Sequence, residues 1–172
     1  MIGVEHFHPL IVHFLIAPLC IAVVSDFIWL FTKNKFFEKF SWYNFVVAGI
    51  FGVLSVISGL VAEENVIIPK NAVEVFEYHE NFAFILTVFL LILVFWRFGL
   101  KGKIPQKYKY IYYFISILCF LTVFFTAYHG GRLVFEHGIS VKFKSGADIE
   151  QNKPVVKEIP IFQFTVPDTT IN

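Results

Sequence analysis

A chain of 172 residues that is 57% hydrophobic, 19% aromatic and only 16% charged does not have the composition of a soluble domain. Its formal net charge of +1, with no basic stripe interleaved with aromatics outside the apolar runs, excludes nucleic acid as a partner. The length suits one domain, and the apolar content places that domain in a lipid bilayer.

Four apolar runs follow one another along the chain, over residues 9–32, 45–62, 82–96 and 110–128. Each comes near the ~20 residues that carry a helix across ~30 Å of hydrocarbon. The expected fold is therefore all-α: a four-helix transmembrane bundle over residues 1–138. A C-terminal tail follows over residues 139–172, read as an extended or small β appendage or as a disordered end.

The first run has no basic n-region, carries Glu5 and three histidines at its front and shows no small-residue cleavage site, so it reads as a retained span. His8 and Pro9 look like its N-cap and first helical residue, a position proline tolerates. Asn71 with Glu74 is a capping-box-like start for the third helix, about two turns before His79. Gly138 is a natural stop for the fourth. Cys20 and Cys119 lie inside apolar runs without C-x-x-C or zinc-type spacing, and read as small buried hydrophobes.

Charge orients the bundle. Lys33, Lys35 and Lys39 follow the first run, and Arg97, Lys101, Lys103, Lys107 and Lys109 follow the third. The positive-inside rule makes both loops cytoplasmic and places both termini, with the acidic middle loop, outside. Trp42, Tyr43, Trp96, Tyr108 and Tyr110 fall where an inner aromatic belt belongs.

The six histidines all lie toward the outer side. At 1.5 Å per residue, His13 is roughly 30 Å from Lys33, His79 roughly 27 Å from Arg97 and His129 roughly 30 Å from Lys109, so three helices bring imidazoles to one level. Glu63 from the second run stands at or just beyond it. His6, His8 and His137 lie slightly further out. Ionisable groups inside a membrane usually face the bundle interior and mark a function, and converging imidazoles are chiefly metal or haem ligands. The bland alternative, which applies most directly to His6 and His137, is that such rings wet their tips among headgroups.

Face analysis supports convergence. Ser116, Cys119, Thr122, Thr126 and His129 form one stripe on the fourth run; Ala48, Gly52, Ser55, Gly59 and Glu63 form a small-residue stripe on the second. The second stripe suits close helix packing or room for a flat macrocycle. His8 and His13, five apart, point about 140° from each other around a helix and cannot both face one ligand.

Haem b accounts for most of these features. Bis-imidazole ligation needs two histidines at matching depth on different helices, and His13, His79 and His129 offer three such pairs, with His8 a further candidate. Arg132, one turn past His129, would meet the propionates, and Gly130 and Gly131 would let a ring approach closely. The competing site is a bare metal, non-haem iron, copper or zinc, held by His13, His79, His129 and Glu63. A structural accessory subunit with interfacial histidines is a further reading, and so is a quinol site in which a histidine and Glu63 accept protons. Asp26, near the inner end of the first run, has Arg97 as its nearest cation by depth; a structural ion pair is the default reading.

Four segments, "FHPLIVHFLIAPL", "WYNFVVAGIFGVLSVISGLVAEE", "EYHENFAF" and "TAYHGGRLVFEHGIS", together resemble a bacterial membrane family known as domain of unknown function 2231. The resemblance covers most of residues 6–141, and its first and last motifs are fairly specific. It implies a four-helix membrane domain without a settled activity, sometimes joined to c-type cytochrome modules, and so redox work by analogy. The family's recurring polar positions fall on His8, His13, Glu63, Glu64, His79, Gly130, Gly131, Arg132, Glu136, His137 and Gly138. Leu15 stands where the family commonly has proline, and His129 is not a constant family feature, which would leave His13 and His79 as the better pair. Together these readings lead to an expected electron-transfer protein of the cytochrome b kind or a respiratory-complex subunit, rather than a standalone enzyme. Its partners would be a periplasmic c-type cytochrome, other respiratory subunits or a quinone.

Overall fold

The computed structural model describes residues 7–139, so the expectations for His6 and for a tail beyond Ile139 lie outside the described residues. Four helices fill that span: α1 (Phe7–Thr32), α2 (Lys35–Glu63), α3 (Val73–Gly99) and α4 (Lys109–Phe135). All four are long and apolar enough to cross a membrane. They run up and down in an antiparallel ring in which α1 packs on α2, α2 on α3 and α3 on α4, while the α1–α4 seam is the sparsest. Each helix extends past the apolar run that announced it, because helical hydrogen bonding continues through polar end residues that hydropathy leaves out.

The helix ends have local causes. Asn34 caps α2 by accepting the Phe36 N–H at 2.9 Å, and Lys33 turns the chain with a φ of 54°. The α4 helix ends at Phe135 and the chain turns off it at Gly138, the expected stop, whose φ of 65° lets the Ile139 N–H donate back to Leu133 O at 3.0 Å and the Gly138 N–H to Val134 O at 3.1 Å. Two starts differ from expectation. Among the described residues α1 already includes Phe7, so His8 is inside the helix rather than its cap. The N-cap of α3 is Ala72, without a side-chain cap bond, so the Asn71–Glu74 pattern marks the place without supplying the mechanism.

The interior is apolar at mid-height, where Leu15, Leu19, Phe45, Leu86, Leu90 and Leu93 pack together. One bundle end is closed by a polar clasp. Asp26 and Arg97, both 0% exposed, form an ion pair at 3.1 Å. Ser41 and Tyr112 each donate a hydroxyl to the Asp26 carboxylate and accept from Arg97 Nη1, at 2.7 and 3.1 Å. Arg97 Nη2 donates to the Glu38 and Gly102 carbonyls, both at 2.7 Å, and Nε to Gly102 O at 3.1 Å. Residues of α1, α2 and α4 are thereby tied to the one guanidinium that α3 carries, and the loop from α3 to α4 is tied down as well. A buried guanidinium is tolerated only when its fork of donors is used in this way.

Because desolvating two charges costs about what their attraction returns, the clasp is more a device for register than a source of stability. Removing one partner is a different matter. Arg97→Met is expected to destabilise the bundle by about 3–5 kcal/mol by stranding the Asp26 carboxylate. The double variant Arg97→Met/Asp26→Leu should recover part of that loss, as read from denaturation midpoints in detergent micelles.

Candidate histidine site

Five helical turns separate the clasp from the other bundle end. Asp26 follows His8 by eighteen positions on α1, and Arg97 follows His79 by eighteen on α3. At 3.6 residues per turn that is a whole number of turns, so each histidine shares a helix face with its partner in the clasp. Leu15, Leu19 and Ala22 fill this face on α1; Leu86, Leu90 and Leu93 fill it on α3. The two rings therefore both point inward. Their centroids lie 6.4 Å apart and their planes are perpendicular.

Hydrogen bonds orient each ring. His79 Nδ1 lies 2.9 Å from the Thr126 carbonyl, which can only accept, so this nitrogen carries the proton and Nε2 keeps its lone pair. The Ser58 hydroxyl donates to Ser55 O at 3.0 Å, which leaves it to accept from His8 Nδ1 at 2.9 Å. His8 Nε2 is then a free lone pair too. These are the tautomers that metal-binding imidazoles adopt, with the second nitrogen donating to a carbonyl or hydroxyl.

Glycines seat both rings. A Cβ on Gly130 would stand 2.9 Å from His79 Cε1, and one on Gly59 would stand 3.3 Å from His8 Cε1. The small-residue stripe of α2 thus has both of its expected uses at different heights: Gly52 meets Leu90 and Leu15 in close packing, whereas Gly59 accommodates a ring, here an imidazole. Gly131 faces open space.

The pair borders a cavity of about 550 Å³ walled by all four helices, within the ~300–1,000 Å³ common for small-molecule sites. Its wall is largely apolar; Glu63, Glu80 and His13 add polar groups, and among the described residues it contains no lysine or arginine.

The other expected ligands are not brought to the pair. His13 is exposed, with Nδ1 held by Pro9 O at 2.6 Å, and reaches only the cavity wall. His129 lies outside the cavity wall and leans among Tyr78, Tyr128 and Phe82, with centroids 5.3–5.9 Å away. The three-histidine level of His13, His79 and His129 is therefore corrected to the pair His8–His79. His13 lies thirteen residues from Asp26, roughly 20 Å against roughly 27 Å for His8, so it is deeper than His79 as well as out of phase with the inward face of α1, and His129 departs from the buried stripe that ends at Thr126. The bare-metal set with Glu63 is not assembled either: among the described residues no three His, Cys, Asp or Glu side chains are grouped for an ion. Arg132 is likewise not at the cavity. It pairs with Glu136 at 2.8 Å and lies over the Tyr128 ring, so it does not form the cation expected for propionates.

Sequence reasoning gave His8 a secondary place and missed Ser58 and the Thr126 carbonyl. The five-turn register of His8 with Asp26 and of His79 with Arg97 was the available signal. The two seats make a contrast that can be measured. Gly130→Ala is expected to push the His79 ring off Thr126 at a cost of about 1–3 kcal/mol. Gly131→Ala, whose methyl would meet nothing within 4 Å, should be neutral or add up to about 1 kcal/mol of helix stability. Unfolding midpoints of the two variants check the difference.

No curated protein and no solved structure matches the chain. Residues 5–143 match the family described as "Predicted membrane protein (DUF2231)", and the four apolar helices agree with that description. The chain belongs to this family of predicted membrane proteins.

Proposed function

We propose that this protein is a membrane electron carrier that holds one haem b between His8 and His79. The observation that carries the reading is the geometry of the pair. A metal bonded to one nitrogen of each ring at ~2.0–2.1 Å, from opposite sides, would set the ring centroids roughly 6–6.5 Å apart. The measured separation is 6.4 Å. Both Nδ1 atoms are occupied by protein partners, so each Nε2 is the nitrogen available for ligation. The adjoining cavity supplies volume and an apolar wall.

When bound, haem supplies one-electron chemistry at iron, and two imidazole ligands leave no open coordination position for substrate. The residues of the chain orient and enclose it. Ser58 and the Thr126 carbonyl hold the imidazoles in one tautomer, and Gly59 and Gly130 fix where the rings sit. Because the wall has no lysine or arginine among the described residues, the charged edge of the group has to be solvated by water.

The lysine-rich loops favour, by the positive-inside rule, a bacterial inner-membrane orientation with the clasp on the cytoplasmic side and the histidines toward the outer face. A site at one bundle end exchanges electrons on that side and does not carry them across the bilayer. Its partner is then an outer-side c-type cytochrome, another subunit of a respiratory assembly, or a quinone in the outer leaflet.

Purified protein is expected to show a low-spin haem b spectrum, confirmed as a pyridine haemochrome. His8→Ala and His79→Ala should each lose the low-spin signature, whereas His13→Ala and His129→Ala should keep it. Colourless protein carrying stoichiometric copper, zinc or non-haem iron would replace the haem with a bare-metal site. Protein binding neither would make the chain an accessory subunit and overturn the reading.

A further inference from the structure

The cavity lies between two helical hairpins. His8 is held within the α1–α2 hairpin by Ser58 and Gly59, and His79 within the α3–α4 hairpin by the Thr126 carbonyl and Gly130. Its other lining residues show where it leads. Pro9, His13 and Ile16 stand about 80–140° from His8 in one sense around α1, and Ala127, Gly131 and Val134 stand at the same angles from Thr126 on α4. Because the two helices are antiparallel, these flanks face each other across the sparse α1–α4 seam. By the same reckoning Glu80 and Phe84 stand about 100° and 140° from His79 on α3, and Glu63 and Leu60 about 40° and 100° from Gly59 on α2. These flanks meet across the α2–α3 seam, as the contact of Thr87 with the Gly52 position confirms. The cavity is thus a slot that reaches a seam on either side of the imidazole pair.

The two seams differ in chemistry. At α1–α4 the polar lining group is His13. At α2–α3 there are two carboxylates, Glu63 and Glu80, both half-buried, whereas Glu64, Glu74 and Glu77 nearby are exposed. Glu80 follows His79 directly and stands level with the imidazoles; Glu63 is one turn beyond Gly59, about 6 Å farther from the membrane centre. Leu60 and Phe84 line the cavity and are also 44% and 41% exposed, so here its wall is a surface that lipid meets. Carboxylates turned toward an apolar slot rather than toward water are costly, and such groups commonly serve proton transfer. An apolar rim, two proton acceptors and a site for one-electron chemistry suit a lipid-soluble donor of two electrons and two protons.

We propose that this α2–α3 window binds the ring of a lipid-soluble hydroquinone and that Glu80 and Glu63 accept its two protons. The proposal rests on the electron-carrier reading, since ferric haem between His8 and His79 is the oxidant. The hydroquinone enters from the leaflet on the histidine side, its tail among the acyl chains and its ring between Leu60 and Phe84. It is oxidised in two one-electron steps. In each, one O–H bond breaks, the proton passes to a carboxylate and the electron to ferric iron, which an outer-side one-electron acceptor reoxidises before the next step. The sum is one quinone, two protons and two electrons.

Two measurements on the full chain in lipid nanodiscs test it. An azido-substituted short-chain quinone, photolysed and mapped by mass spectrometry, is expected to label residues 56–63 and 80–84, and excess decylubiquinol should suppress that labelling several-fold. Competed labelling confined to the α1–α4 seam around His13, Ile16 and Val134 would overturn the proposal, and so would no competed labelling at all. In stopped flow, haem reduction by decylubiquinol should slow by about a hundredfold in Glu80→Gln and in Glu63→Gln, with the haem spectrum and reduction by dithionite unchanged. Glu77→Gln, outside the cavity wall, should keep the wild-type rate. Wild-type rates in both window variants would remove the glutamates from the reaction. Protein without haem would overturn the redox steps together with the electron-carrier reading, whereas the labelling pattern decides separately whether the window binds a quinone.

Discussion

The Asp26–Arg97 ion pair sets the geometry on which everything else in this bundle rests. A guanidinium with no exposure has no solvent to fall back on, so its donors must find acceptors from all directions at once. They do so only when α1, α2, α4 and the loop from α3 to α4 occupy one arrangement. Sliding any helix by a turn would leave a buried charge or a carbonyl unpaired, a penalty far larger than the small differences among alternative apolar packings. Lipid-facing leucines and phenylalanines cannot provide this selectivity, because hydrocarbon is nearly as good a neighbour for them as another helix.

Rigid helices transmit that register over their length. With Asp26 and Arg97 facing each other at one end, the residues five turns away on the same faces must also face each other, and those are His8 and His79. The diagonal helices α1 and α3 are thus related by a charged pair at one end and a neutral imidazole pair at the other, with leucines between. The neighbours α2 and α4 accommodate the rings rather than compete for them: Gly59 and Gly130 remove the methyl groups that would collide, while Ser58 and the Thr126 carbonyl take the Nδ1 protons.

The two ends differ in chemistry as well as in depth. At the clasp every polar group is satisfied within the protein and nothing is left to offer a ligand. At the histidine end His8 and His79 each keep an Nε2 lone pair free and both rings border the cavity. Stability and function are accordingly segregated along the bundle axis. A site with free valences can be built into a membrane domain when its register is held from about 27 Å away.

Much was legible without coordinates. Four apolar runs, the lysine distribution, the Asp26–Arg97 pairing and the Gly138 stop follow from one-dimensional quantities: hydropathy, charge, and distance along a helix. Depth was legible only in part: rise per residue is constant, but reckoning each helix from its nearest lysine or arginine set His13 level with His79, whereas His13 stands roughly 20 Å from Asp26 and His79 roughly 27 Å from Arg97. Which histidine turns inward was not, because depth leaves the rotation of a helix about its axis free, and in a chain this apolar the lipid face and the core face look alike. The sequence by itself therefore determined how many helices there are and how far apart two residues of one helix lie. Only the tertiary structure decided that His8 rather than His13 meets His79, because rotation is set by the polar contacts at Arg97, which exist only once all four helices are packed.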